Sequence, residues 1–320
     1  MRIRELLKSN LKSWKHIWEN SKSKFEVGFM VKNYTEYLRE SAIQTNSIVC
    51  LGLDPVIEKI PLKEYSVKKK ILDFYSQIIE ACVSEEVMFS ALKPNYAFFA
   101  QYGFEGLEAL KELITDLKKL EIPVILDVKR GDISTSQAAY AKEIFSFWNA
   151  DAATINPLMG FDTVEPFINL IKNEGKGIYL LNRTSNKSAA EIQNEKLASG
   201  KPVYMLLSEK IAKWANENAI SLGAVVGATS IQELNDIAKF YAKENKQNSY
   251  FLIPGVGSQG GSAKEVVDSL QKSGLDLCLQ RINSSSAINY AYEKFKTDDF
   301  AGAAVRALRE LNREIGFKPK

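Results

Sequence analysis

The chain has 320 residues, 45% apolar and 25% charged, which fits a globular protein with a substantial core and excludes collagen-like, low-complexity and disordered classes. Its only histidine is His16, so a multi-histidine zinc site is excluded and proton chemistry falls to Lys, Asp, Glu, Tyr or Cys. The net charge is +3, but residues 1–24 hold seven Lys or Arg against two Glu; the other 35 basic and 37 acidic residues sum to −2, so the body of the chain is no nucleic-acid binder by charge.

Residues 1–46 read as an N-terminal helical extension. Its basic head is best taken as a solvated appendage, ahead of a membrane-surface helix or a targeting peptide. No apolar run approaches the roughly 20 residues of a membrane span, and no signal-peptide core follows the start, so a cytoplasmic protein without a membrane partner is expected. Cys50, Cys82 and Cys278 lie far apart in apolar surroundings and read as buried thiols in a reducing compartment.

From residue 47 one pattern recurs: a short apolar run, a polar or Gly/Pro end, then a helical period. The runs are Ile48–Leu53, Met88–Leu92, Val124–Val128, Ala152–Ile155, Gly177–Leu181, Gly223–Val226, Tyr250–Ile253 and Leu277–Ile282. Amphipathic segments such as Ser66–Val83, Gly106–Leu120, Ser136–Trp148, Val203–Ala219, Ile231–Asn245 and Ala263–Ser273 alternate with them. This predicts an α/β fold, a (β/α)8 TIM barrel over 47–320 that forms the catalytic domain. An open doubly wound sheet is the alternative, but it gathers ligand groups at one switch point. Here nearly every run ends in polar residues, as a barrel mouth requires. The polar stretch 182–202 after the fifth strand is long for a strand-to-helix loop and reads as a lid.

The densest group of reactive side chains is Ile125-Leu-Asp-Val-Lys-Arg-Gly-Asp132. Alternation along a strand puts Asp127 and Lys129 on one face, Asp132 just beyond the turn at Gly131, and Lys93 at the same mouth from the second strand. Two carboxylates and two ammonium groups in a low-dielectric pocket would cost several kcal/mol per ion unless paired. Gathered where barrels bind ligands, they suit stabilising a carbanion and protonating it. A Schiff base on Lys129 is the other use of such a lysine, but flanking carboxylates favour an ammonium. After the seventh strand, Pro254-Gly-Val-Gly-Ser-Gln-Gly-Gly261 contains G-x-G-x-x-G. It reads as a phosphate cradle sooner than a dinucleotide fingerprint, because barrels commonly hold phosphate after strands seven and eight. Asp54, in Leu51-Gly-Leu-Asp-Pro55, could accept from ligand hydroxyls.

Together LGLDP (51–55), LKPN (92–95), DVKRGDI (127–133), NRTSN (182–186), GATS (227–230) and PGVGSQGG (254–261) resemble the orotidine 5′-monophosphate decarboxylase family, in its longer bacterial branch, over about residues 33–310. The resemblance implies decarboxylation of orotidine 5′-monophosphate to UMP in pyrimidine synthesis, with no metal and no organic cofactor, by a homodimer with shared active sites. It assigns protonation of the C6 carbanion to Lys129, the position beside the leaving carboxylate to Asp127, a bridge between the carboxylates and ribose to Lys93, and a role in the partner subunit's site to Asp132. Asp54 and Asn95 would contact ribose or the adjoining network, and Ser136 the ribose across the dimer. Ser185 would reach the pyrimidine as the lid closes. Pro254 would shape the pocket, Gln259 would link pyrimidine to phosphate, and Gly255 and Gly260 would belong to the cradle.

One position departs from the family. The branch carries a phosphate-gripping Arg after the eighth strand, whereas this chain reads Asn283-Ser-Ser-Ser286-Ala287, with Ser285 and Ser286 at that end of the site. Two further readings therefore stand beside the decarboxylase: a Mg²⁺-dependent sugar-phosphate decarboxylase or synthase on the same D-x-K-x-x-D tetrad, and a nucleotide-binding barrel with impaired catalysis.

Overall fold

The computed structural model describes residues 33–63, 66–245, 248–257 and 261–319. The basic head of the chain, with His16, lies outside them, as do Gln259 and Gly260.

Eight parallel strands form the sheet: β1 Val49–Leu53, β2 Ala91–Pro94, β3 Ile125–Arg130, β4 Ala152–Ile155, β5 Gly177–Arg183, β6 Gly223–Val226, β7 Tyr250–Ile253 and β8 Arg281–Ser284. Their order is β2-β1-β8-β7-β6-β5-β4-β3. The remaining seam between β2 and β3 is joined by bridges Leu92–Val124 and Asn95–Asp127, and Leu92 N–H donates to Pro123 O at 2.9 Å. The predicted closed barrel is what forms.

The helices around it follow from local signals. Ser66 caps Val67–Ser84 by accepting from Lys69 N–H, and Ser262 caps Ala263–Ser273 by accepting from Glu265 N–H. Ile71, Phe74, Tyr75, Ile78 and Cys82, spaced three and four apart, turn one face of Val67–Ser84 into the core. Burial pushes the Cys50 and Cys82 thiols up to about 12, so both act as small apolar side chains.

Strand alternation sorts the core in two. One apolar layer fills the space between barrel and helices. The other lies inside the barrel and includes Cys50, Ala91, Ile125, Ala152, Tyr179, Val225, Tyr250 and Leu252. Two residues further along their strands, on the same inward face, come Gly52, Lys93, Asp127 and Thr154. The interior is thus apolar at its base and polar at its mouth.

The base is sealed by the helix Tyr34–Thr45, which opens with a capping box between Asn33 and Glu36. The Tyr34 ring occupies the space a side chain at Gly177 would need, and the Tyr250 ring does the same at Gly223. Tyr34 meets Tyr179 and Tyr250 edge-on at centroid distances of 6.1 and 5.4 Å. Arg281, fully buried, donates to Cys278 O, Gln280 O and Leu38 O at 2.9, 2.8 and 2.6 Å, fastening the helix to β8.

Several strands run past their apolar stretch. β3 continues through Arg130, β5 through Arg183, and β2 through Lys93 and Pro94, because the backbone ladder continues under polar mouth residues. The eighth strand starts later than its apolar run: the Asp276 side chain accepts from Cys278 N–H and winds Leu277–Leu279 into a 3₁₀ turn.

Candidate active site

Asp127 is the hub of the mouth. Lys93 Nζ donates to its Oδ2 at 2.8 Å, and Lys129 Nζ to its Oδ1 at 2.6 Å. The Thr154 hydroxyl donates to the same Oδ1 at 2.9 Å. Asp127 and Lys93 are buried, at 8% and 4% exposure, whereas the Lys129 side chain is 51% exposed. Burial alone would raise the Asp127 carboxyl, but the ammonium groups of Lys93 and Lys129 hold it well below the usual carboxylate range. Burial alone would lower Lys93, yet Asp127 and then Asp54 keep it above an ordinary lysine. At neutral pH the hub is therefore a carboxylate with a buried ammonium on one side and a solvent-reaching one on the other.

Asp127 and Lys129 do meet, but simple alternation is not the cause. The β3–β4 register slips between Leu126 and Arg130, and Lys129 sits at φ +47°, left-handed backbone that costs a non-glycine residue about 1–3 kcal/mol. Thr154 secures this bend: its hydroxyl accepts from Lys129 N–H at 2.9 Å while donating to Asp127. No sequence motif marks Thr154; its only signal is a hydroxyl on the inward register of the short apolar strand Ala-Ala-Thr-Ile. The expected wholly low-dielectric pocket is corrected as well, since the half-exposed Lys129 faces water.

Asp132 does not join the hub within the chain; its Oδ1 accepts from its own neighbour Ile133 N–H at 2.8 Å. Ser136 is exposed on the helix Ser134–Lys142. Asp54 follows β1 with Oδ1 buried and without a hydrogen-bond partner, and Asn283 Oδ1 at the end of β8 is in the same state. Buried acceptors left open at a barrel mouth suit ligand hydroxyls. Asn95 precedes the helix Tyr96–Ala100, and its side chain does not cap it. Ser285 packs so tightly on Gly52 that a Cβ there would lie 1.8 Å from its hydroxyl.

The 182–202 segment is folded rather than loose. Thr184 N–H donates to Gln193 Oε1 at 2.9 Å, and Arg183 pairs with Glu233 at 2.8 Å. Ser185 rests on Gly227, where a Cβ would come within 2.8 Å of its Cα. Pro254 O accepts from Ala228 N–H at 2.8 Å, and Gly255 and Gly257 take φ +93° and +80°, turning the cradle loop away from the strand. Ser286 begins the short helix Ser286–Asn289 and is exposed. Arg281, the arginine nearest it in sequence, points to the sealed base and cannot serve the mouth.

A closed (β/α)8 barrel with a Lys–Asp–Lys hub at its mouth and a glycine-rich turn after β7 defines an enzyme class acting on phosphorylated small molecules. Residues 47–285 match the model of the orotidine 5′-phosphate decarboxylase / HUMPS family, and the chain belongs to that family. It is 38% identical over 286 residues to orotidine 5′-phosphate decarboxylase of Verminephrobacter eiseniae, covering 87% of this chain and 96% of that one. The Clostridium acetobutylicum enzyme of the same name is 37% identical over 263 residues, covering 79% and 88%. Among solved structures, Leishmania donovani OMP decarboxylase superposes with TM-score 0.67 at 30% identity over 89% of this chain and 99% of that one. Leishmania donovani UMP synthase gives TM-score 0.69 at 31% identity over 89% of this chain, which spans 57% of that longer protein.

Proposed function

We propose that the protein decarboxylates orotidine 5′-monophosphate to UMP, and that the Lys93–Asp127–Lys129 hub performs the chemistry. The observation that carries the mechanism is the sharing of Asp127 by two ammonium groups. The bond from C6 to the carboxylate breaks, CO₂ leaves, and the electron pair stays on C6. Lys129 stabilises that carbanion and transfers a proton to it, giving UMP; its half-exposed amine then regains a proton from water. Asp127 places negative charge beside the departing carboxylate, which favours its expulsion where the transition state is less anionic there than the ground state. Lys93 keeps Asp127 charged. Thr154 is a positioning residue that holds the Lys129 bend.

The enzyme acts as a homodimer in this reading. Asp132 is turned out of its own hub and would complete the partner's. Ile133 beside it, and Leu158 and Met159 on the neighbouring loop after β4, are exposed apolar side chains, with Leu158 80% exposed. A patch of this kind on the flank of β3 and β4 is what an isologous interface buries. Asp54, Asn95 and Ser136 are assigned to the ribose, Ser185 to the base, and Pro254, Gly255, Gln259, Gly260 and Ser285 to the phosphate end. A cytoplasmic location fits the reading; among the described residues no helix is long and apolar enough to cross a membrane. The Mg²⁺-dependent alternative is disfavoured because both Asp127 oxygens are already engaged by ammonium groups.

The test is the ultraviolet absorbance of orotidine 5′-monophosphate with purified protein, with and without EDTA. Loss of the orotate band in both samples is expected, and Lys129→Ala abolishes it while leaving the fold intact. Turnover that EDTA stops would support the metal-dependent reading instead. Turnover retained by Lys129→Ala would refute the proton-donor role.

A further inference from the structure

The loop after β1 is strapped to the segment after β8. The Tyr290 hydroxyl donates to Asp54 O at 2.9 Å and accepts from Val56 N–H at 2.8 Å, while the Tyr292 hydroxyl donates to Lys59 O. The backbone of Lys59 is therefore fixed, while its side chain is half-exposed. Beside it opens a cleft of about 530 Å³, bordered by Lys59, Gly257, Ser286, Ala287, Tyr290 and Glu293. Gly257, after β7, and the segment after β8 thus share this cleft, and a Cβ at Gly257 would lie 4.0 Å from Ala287 Cβ.

Lys59 Nζ lies 2.9 Å from Glu293 Oε2 and 5.4 Å from the Tyr290 ring centroid. The second lysine of the cleft, Lys294, turns its amine toward Glu310, at 3.9 Å, and over the Phe295 ring. Lys59 is thus the lysine whose amine stays against residues of the cleft that Gly257 and Ser286 also line.

We propose that Lys59 is the cation that receives the substrate's 5′-phosphate, exchanging Glu293 for it. This rests on the decarboxylase reading and identifies the charge that Ser286 does not supply. Lys59 and Glu293 are each 46% exposed, and an ion pair so open to water is weak. A phosphate monoester carries close to two negative charges near neutrality, against one on Glu293, so the exchange runs downhill. A lysine binds phosphate as a point charge and tolerates approach from the side, which suits a group arriving from the β1 loop instead of from position 286. Glu293 holds the amine in reserve while the site is empty.

Calorimetry with UMP and with uridine on the full chain tests this. Lys59→Ala weakens UMP binding by about 10- to 100-fold and leaves uridine unchanged. Lys59→Arg keeps most of the UMP affinity, Glu293→Gln tightens it by about two- to fivefold, and Ser286→Arg restores it in the Lys59→Ala background. Lys59→Ala binding UMP as tightly as the unaltered protein, or losing uridine equally, would overturn the proposal. Absence of orotidine 5′-monophosphate turnover by the unaltered protein would instead sink the decarboxylase reading, and the UMP-to-uridine comparison would still decide on Lys59.

Discussion

Replacing Asp127 with Asn keeps the shape of the hub and removes its charge. The two lysines respond differently because they differ in exposure. Lys93, 4% exposed, is left as a buried cation without its direct partner. Breaking a buried pair on one side costs about 3–5 kcal/mol, and the remaining attraction of Asp54 puts this case near 3. Lys129, half exposed, loses under about 1 kcal/mol. At about 2.1 cal/mol/K of unfolding entropy per residue, the loss from Lys93 lowers the melting temperature by about 4–5 °C. Differential scanning calorimetry measures it. The double variant Lys93→Met/Asp127→Asn recovers most of that stability, since removing both partners of a buried pair leaves no uncompensated charge. A double variant less stable than Asp127→Asn alone would refute the argument. The pH dependence follows from the two shifts. Asp127 is held below its unfolded value, so its contribution is present at neutrality and lost as pH falls below about 4 toward its folded value. Lys93 is held above its unfolded value, so its contribution is complete below about pH 10 and lost as pH rises toward its folded value. The stability gap between the unaltered protein and Asp127→Asn therefore closes in acid, as Asp127 is protonated, and narrows again at alkaline pH, as the variant's unpaired, buried Lys93 gives up its proton.

Thr154→Val removes the hydroxyl shared by Asp127 and Lys129 N–H; kcat falls about tenfold while UMP affinity, measured by calorimetry, holds, and an unchanged kcat would deny Thr154 its positioning role. Gly177→Ala brings a Cβ within 2.3 Å of the buried Tyr34 ring and destabilises by about 1–3 kcal/mol in urea unfolding, whereas a neutral effect would mean the tyrosine has room to move. Arg281→Lys cannot reach all three carbonyls that the guanidinium serves, so it costs at least about 2 kcal/mol in the same assay with UMP affinity unaltered; lost UMP affinity would place Arg281 in the site after all.

The barrel was readable because burial writes itself into apolar runs, and β4, β6 and β7 begin and end where those runs do. Strand ends were less readable. Lys93, Pro94 and Arg183 remain in the ladder although their types suggest loops, because hydrogen bonding is a property of the backbone and polarity one of side chains. The hub members Asp127, Lys129 and Lys93 stood out by charge near a barrel mouth. The bend that joins them did not, since no residue type announces φ +47° at a lysine. Thr154 was silent because a threonine in a strand is ordinary until its neighbour is known. The sealing helix carried a local signal in Asn33 and Glu36, but its docking partners at Gly177, Tyr250 and Arg281 lie far along the chain.

That separation in sequence has a kinetic consequence. Tyr34 meets Tyr179 across 145 positions, and Leu38 accepts from Arg281 across 243. Contacts this remote require closing long loops first, so they come late in folding. During synthesis the sealing helix emerges before every strand of the barrel and cannot reach its seat until β5, β7 and β8 have followed. Its aromatic face stays uncovered while the strands are made, and the last act of folding is to close the floor of the barrel with a helix synthesised before any of them.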